Sequence, residues 1–444
     1  MKLKTLSAIL VLLVFGMIVL MPRQANAIPA FARKYGVKCY TCHTVPPALN
    51  KNGYMFKRLG YRMPTDEMDG TKPAPKIIEM DKDMKFSIIN SMALILQASV
   101  TNEKTVADKG NTTSASPATS CGSSTSSSSS CSSFNLDEAA LFMAGPIPET
   151  GFSYFAHYEL YQGGSNNLEQ GFGVWTGGRA NNSYFIKAGE MHMQEGEGTR
   201  AAMFYNLFAD PAYTLANVDP ILFSLDQHPV GVDVGYTHAS NYFKNIFAVS
   251  AKVTNGLNTD GSEILDSSTK SSKDVWADAD YWFGPDGGVT VMFYRGTKDQ
   301  VQTPTNENPP FTYRAGIDRV GVFGNYLFFD KLDILGGYIR SQDDWHPPNG
   351  GPNSHYISNS VRGEADYYFK PGTVVMARYD HTLQTIASNP TMHTQSWGIG
   401  GERALTKLGN VVLRAAYNQE HDGDPVALAG TTDKRFKMDI RYMW

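Results

Sequence analysis

Charge is scarce in this sequence. Only 18% of its 444 residues are Asp, Glu, Lys or Arg, whereas water-facing surfaces usually carry about 25–35%. Two or three soluble domains, the ordinary expectation for this length, are therefore disfavoured. The formal net charge is −4, and losing Lys2, Lys4 and Arg23 with the leader described below removes three positive charges, giving −7. That balance excludes a basic nucleic-acid binder, and no nucleic acid is expected as a partner. Long hydrophobic runs are missing too. Past the first residues, no stretch offers the ~18 consecutive apolar residues of a transmembrane helix. Cysteine is scarcer still, at four in the whole chain, and these fall into two pairs: Cys39 with Cys42, and Cys121 with Cys131.

What is present begins with a leader. Lys2 and Lys4 precede an apolar run from Leu6 to about Leu20, and Ala25 to Ala27 close it with small residues. This is the pattern of a secretory signal peptide over residues 1–27, cleaved before Ile28. A membrane anchor is the alternative, for which the run is short. Export to an oxidising compartment makes a loop disulfide the expected use of Cys121 and Cys131, which flank a serine run; the alternative is that both stay free.

The next segment reads VKCYTCHTVPP, Val37 to Pro47. Cys-x-x-Cys-His lets two thiols form thioethers to haem vinyl groups while the adjacent imidazole reaches the iron. Cys39 and Cys42 are thus the expected attachment residues of one covalent haem c, with His43 as proximal iron ligand. A thioredoxin-like pair would need a βαβ context that is absent. A zinc site would need two more ligands nearby, and no further His or Cys follows for dozens of residues. Met55, Met63 and Met68 are local sulfur candidates for the distal position. Met63 is preferred because it precedes a proline, in an extended stretch that can fold back over the ring. Met55 comes second, a barrel histidine such as His157 is a third option, and packing on the haem edges remains the plain alternative for all three methionines. Residues 28–83 make a small cytochrome segment, below the roughly 60 residues at which a domain is marginal without help. One haem face would stay wet unless something else covered it.

From about Phe86 the chain alternates with period two. Met92, Leu94, Leu96 and Val100 share one face, with Ser91, Gln97 and Ser99 on the other. At the far end Phe436, Met438, Ile440, Tyr442 and Trp444 alternate with Arg435, Lys437, Asp439 and Arg441. A lipid-facing apolar row opposite a water-facing charged row is what a membrane barrel requires. Short turns at GPIPET, GPDGG, FDK, KPG and TKLGN take turns with longer polar segments, expected as outer loops: 102–133, 195–228, 256–272, 298–310 and 342–359, with one or two connections of ambiguous length. Aromatic clusters at Tyr281–Phe283, Tyr326–Phe329 and Tyr367–Phe369 precede short turns and read as a periplasmic girdle. The expected fold is therefore an all-β transmembrane barrel of about sixteen antiparallel strands over residues 84–444. Such a barrel leaves an aqueous lumen. Both termini then lie on the periplasmic side of the bacterial outer membrane, and the small helical haem segment can enter the lumen as a plug.

The stretch FARKYGVKCYTCH with PALNKNGYMFKRLGYRMP, roughly Pro29 to Met63, resembles the fused outer-membrane monohaem c-type cytochrome–porins tied to extracellular ferrous iron oxidation. The barrel resembles that family in architecture and length only. The resemblance carries haem attachment onto Cys39, Cys42 and His43. It implies a one-electron Fe(II) oxidase: extracellular Fe(II) gives an electron to the haem, and a periplasmic c-type cytochrome collects it, so that ferric product stays outside. Outward delivery of electrons to external acceptors, and a diffusion porin with a structural haem plug, are the alternatives.

No Fe(II)-binding motif stands out in the sequence. Asp343, Asp344 and His346 share one expected outer loop, and His421, Asp422 and Asp424 another. Carboxylate and imidazole suit ferrous iron, but solvated loop residues are the better reading. Within the strands, Asp274, Asp278 and Asp280 share a face with Trp276 and Trp282, and Glu364, Asp366 and Arg362 form a similar row. Such acidic rows could draw cations inward; ordinary lumen polarity explains them equally well.

Overall fold

The computed structural model describes residues 30–45, 48–64, 73–82, 84, 91–107, 128–162, 165–192, 228–240, 243–255, 273–284, 286–301, 312–345, 354–386, 389–406, 409–424 and 429–443. The leader, Met68, Cys121, His346 and Trp444 lie outside them.

A small segment comes first. Helix α1 (Ala30–Tyr35), a 3₁₀ turn (Cys39–Thr41), strand β1 (His43–Val45), strand β2 (Ala48–Leu49) and helix α2 (Lys51–Arg58) follow in order. Sixteen further strands then close into one barrel. In chain order they are β3 (Met92–Ala107), β4 (Ser128–Pro146), β5 (Phe152–Gln162), β6 (Ser165–Arg179), β7 (Asn182–Glu190), β8 (Val230–Ala239), β9 (Ile246–Thr254) and β10 (Asp274–Phe283). The second half comprises β11 (Gly287–Val301), β12 (Thr312–Phe328), β13 (Leu332–Trp345), β14 (Ser354–Lys370), β15 (Thr373–Ile386), β16 (Asn389–Ala404), β17 (Val411–Asp424) and β18 (Ala429–Met443). Each strand pairs antiparallel with its sequence neighbours. The seam is β18 on β3, with Met438 opposite Val100 and Asp439 opposite Ser99. Closure leaves no unpaired strand edge in the lipid, where an unsatisfied backbone group would cost several kcal/mol.

The two-residue period sets the faces. Along β10, Asp274, Trp276, Asp278, Asp280 and Trp282 are buried toward the interior, while Val275 and Tyr281 point out. Outward rows such as Val289, Val291 and Phe293 on β11, with Val320 and Val322 on β12, are 39–50% exposed. A soluble protein would not leave so contiguous an apolar surface in water; lipid covers it. Tyr281, Tyr326, Phe328, Tyr367 and Phe369 form an outward aromatic belt beside the short turns, and neighbouring rings lie 4.7–6.1 Å apart. Trp282 departs from the expected girdle, because its place in the alternation turns it fully inward.

Short turns occupy one end, at 147–151, 180–181, 240–245, 284–286, 329–331, 371–372 and 405–410. The connections at the other end are mostly longer, and the ambiguous ones are short. Those between β5 and β6 and between β15 and β16 occupy only 163–164 and 387–388. Strands also run deep into the expected loops. Asp343 and Asp344 belong to β13, His421 and Asp422 to β17, and Cys131 to β4. A ladder of backbone hydrogen bonds does not need apolar side chains once it leaves the lipid, so polarity alone misplaced those boundaries. Cys131 is disulfide-bonded.

Candidate functional site

The Cys-x-x-Cys-His segment is built on local hydrogen bonds. Thr41 N–H donates to Lys38 O and Cys42 N–H to Cys39 O, closing the 3₁₀ turn. Asn50 caps α2, its Oδ1 accepting from Gly53 N–H at 3.0 Å, and its Nδ2 donates back to Tyr40 O and Thr41 O at 3.3 and 3.2 Å. Asn50 N–H donates to Cys42 O at 2.9 Å. One side chain thus ties the attachment turn to the helix that follows. Gly53 is obligatory for the same contact, since a Cβ there would lie 2.1 Å from Cys42 O. Neither role was legible beforehand, although Asn just ahead of a helix is a recognisable cap signal.

Cys39 and Cys42 are free thiols, the first buried and the second half-buried. Burial pushes both up to about 11, and the neighbouring Cys39 adds to the effect at Cys42. Two uncrosslinked thiols followed by an imidazole are the donor set for covalent haem c, and in that respect the residues fit the group. Met63 lies half-buried at the end of the segment, while Met55 is fully buried in an apolar cluster with Tyr54, Leu59, Ile246, Ala248 and Trp282. His157 has Nε2 2.9 Å from Glu159 and Nδ1 2.8 Å from Glu169.

The segment meets the barrel interior at its short-turn end. Tyr54 Oη donates to Asp280 Oδ2 at 2.8 Å, and the Arg58 guanidinium lies 3.2 Å from Asp280 and 3.6 Å from Asp278. Arg58 also covers the rings of Tyr54 and Phe185. Lys51 Nζ donates to Gly284 O at 2.6 Å. Arg62, wholly buried, donates to Ser153 Oγ and Thr150 O and pairs with Asp81 at 3.2 Å. Tyr40, between the two cysteines, packs against Gly372 and Gly409 in two short turns. Added Cβ atoms there would lie 2.3 and 2.9 Å from its side chain, and both glycines have positive φ.

The acidic rows singled out in the sequence do face inward, but cationic side chains occupy them. Asp278 and Asp280 hold Arg58, Arg362 pairs with Glu364, Arg378 with Asp380 at 2.7 Å, and Lys187 with Asp233 at 3.0 Å. The loop candidates for iron come apart as well. Asp343 is buried against Arg319, while Asp344, its neighbour on the other face, meets His355 at 2.6 Å. Asp422 accepts from Thr394 Oγ1, and His421 meets Thr432.

No protein-family model and no curated protein matches this chain. Among solved structures, an anion-selective porin from Comamonas acidovorans superposes with a TM-score of 0.50 at 11% identity, over 80% of this chain and 98% of that one. A loop-deletion mutant of OmpT, an outer membrane protein of Vibrio cholerae, gives 0.49 at 10% identity over 80% and 100% of the two chains. The outer membrane channel DcaP of Acinetobacter baumannii gives 0.46 at 11%, over 80% and 97%. Sixteen closed antiparallel strands, a lipid-facing belt and the porin likeness define the class: a porin-type outer-membrane β-barrel. At such identities the likeness reaches the fold and nothing finer.

Proposed function

We propose that the chain is an outer-membrane electron-transfer protein whose N-terminal segment carries one haem c and plugs the barrel's short-turn end. Cys39 and Cys42 would hold the haem by thioethers, His43 would be the proximal ligand, and Met63 the distal one. When bound, the haem supplies a one-electron acceptor. The substrate is extracellular Fe(II), and the electron leaves to a periplasmic c-type cytochrome docked at the short-turn mouth. Short turns belong to the periplasmic side of outer-membrane barrels, and in this reading both termini lie there. The observation that carries the reading is the attachment of the Cys-x-x-Cys-His segment to inward-facing barrel residues through Tyr54, Arg58 and Arg62. A simple diffusion pore has no need of a Cys-x-x-Cys-His segment held against its inner wall.

The test uses liposomes holding the purified holoprotein, oxidised cytochrome c inside and Fe(II) outside. Reduction of the enclosed cytochrome, lost in a Cys39→Ser/Cys42→Ser double variant, supports the reading. Cytochrome that stays oxidised while an outside acceptor is reduced from within would favour outward delivery. The porin likeness favours a second reading, a diffusion pore with a structural plug. In that case the same liposomes would pass small anions freely and leave the cytochrome untouched.

A further inference from the structure

A second cluster of chemistry lies on the inner wall, nearer the long-connection end. His157 and Glu159 stand two residues apart on β5 and so share a face, and Glu169 lies near the start of the adjacent β6. His192 follows the end of β7, and His228 precedes the start of β8. Barrel closure brings them together. One ligand atom each from Glu169, His192 and His228 lies within 4.8 Å of the others, as does one each from Glu138, His157 and Glu159. His192 Nε2 is 2.6 Å from His228 Nε2, and His228 Nε2 is 3.7 Å from Glu169 Oε1.

Three observations single this cluster out. Several carboxylates elsewhere on the wall pair with guanidinium or ammonium groups, as Asp280 does with Arg58, Asp343 with Arg319 and Asp233 with Lys187. Glu159 and Glu169 pair with imidazoles instead, Glu159 with His157 and Glu169 with His157 and His228. Glu159 is 1% exposed, and its Oε2 has no hydrogen-bond partner among the described residues. Finally, two Nε2 atoms at 2.6 Å can hold only one proton between them, so one of them presents a lone pair to its neighbour. A cation with bonds of about 2.0–2.2 Å needs its ligand atoms roughly 3.0–3.5 Å apart, and the 2.6 and 3.7 Å separations bracket that range.

We infer that Glu169, His192 and His228 bind a divalent first-row transition-metal ion. Resting on the function proposed above, that ion is the substrate Fe(II). Two imidazoles and one carboxylate suit it. The ion takes the place of the proton shared by the two histidines. Glu169 is oriented for this by its other oxygen, which His157 holds at 2.8 Å. Packed rings join the cluster to the haem-attachment segment: His157 stacks on Phe142 at 3.9 Å, Phe142 meets Phe155 at 6.1 Å, and Phe155 stacks on Tyr61 at 6.1 Å.

The test is calorimetric titration of the chelator-treated holoprotein in detergent with Zn(II), which is redox-inert. Wild type is expected to bind one saturable equivalent, with binding weakening as pH falls and protons compete. His192→Gln and Glu169→Gln each weaken binding by at least tenfold, while His355→Ala, far from the cluster, does not. Heat-modifiable gel migration verifies that each variant keeps its barrel. Wild-type affinity in both variants, or no saturable binding in wild type, overturns the site. Fe(II) that reduces the haem with unchanged half-saturation in His192→Gln also overturns it, while leaving the direction of electron flow standing. Zn(II) binding lost in the variants, with no Fe(II)-dependent haem reduction in wild type, upholds the site and removes the oxidation reading.

Discussion

Asp280→Asn is expected to loosen the N-terminal segment from the barrel. The Asp280 carboxylate accepts hydrogen bonds from Tyr54 Oη, Arg58 and Thr290 Oγ1, and its side chain is wholly buried. The amide keeps the shape but removes the charge, which leaves Arg58 the more distant Asp278 carboxylate, at 3.6 Å. Breaking a buried ion pair from one side costs about 3–5 kcal/mol when the other charge is left uncompensated, and with Asp278 still beside Arg58 the lower end, about 3 kcal/mol, applies. At about 1.4 kcal/mol per decade, detachment of the segment becomes roughly 10²-fold more frequent. Arg58→Met alone should cost a similar amount. The double variant should recover much of it, since no lone charge then remains among these two residues. Pulse proteolysis of the detergent-solubilised protein reads the open fraction at the segment while the barrel stays intact. An unchanged cleavage rate in Asp280→Asn, or strictly additive effects in the cycle, would refute the idea that this pair holds the segment in place.

Three further outcomes are expected. Gly53→Ala, with its Cβ 2.1 Å from Cys42 O, should sharply lower covalent haem per protein on a haem-stained denaturing gel, with the barrel still heat-modifiable. Val322→Arg, on the lipid face of β12 inward of Tyr326 in the aromatic belt, should destabilise the barrel by about 2–4 kcal/mol in urea titration. Burial holds the Asp81 carboxyl above its usual range despite Arg62. The folded state therefore binds that proton more tightly than the unfolded chain, and this group's contribution to stability rises as pH falls through its folded pKa. Asp81→Asn should remove that contribution from the difference between melts at pH 7 and pH 4.

The barrel was legible because lipid on one side and water on the other impose a two-residue period that survives without any knowledge of partners. β10 and β18 were assigned to the right faces for that reason. The turns at GPIPET, GPDGG, FDK, KPG and TKLGN were legible from Gly, Pro and Asp, whereas those joining β6 to β7 and β8 to β9 were not. Strand ends were not, since Asp343, His421 and Cys131 sit where the hydrogen-bonded ladder continues past the lipid and hydrophobicity no longer marks it. Pairings across strands were also hidden. Arg319 meets Asp343, and Arg414 meets Asp439, only because of a register fixed by pairing within the closed barrel. His157 and Glu159, at i and i+2, were a readable pair. His192 and His228 flank a long connection, and only the pairing of β7 with β8 brings them face to face.

The most direct measurement is anaerobic stopped-flow spectroscopy of the oxidised, detergent-purified holoprotein mixed with Fe(II). The account predicts rapid growth of the reduced c-type bands, saturating with Fe(II) concentration. Haem that stays oxidised with Fe(II), yet is reduced at once by dithionite, would contradict it.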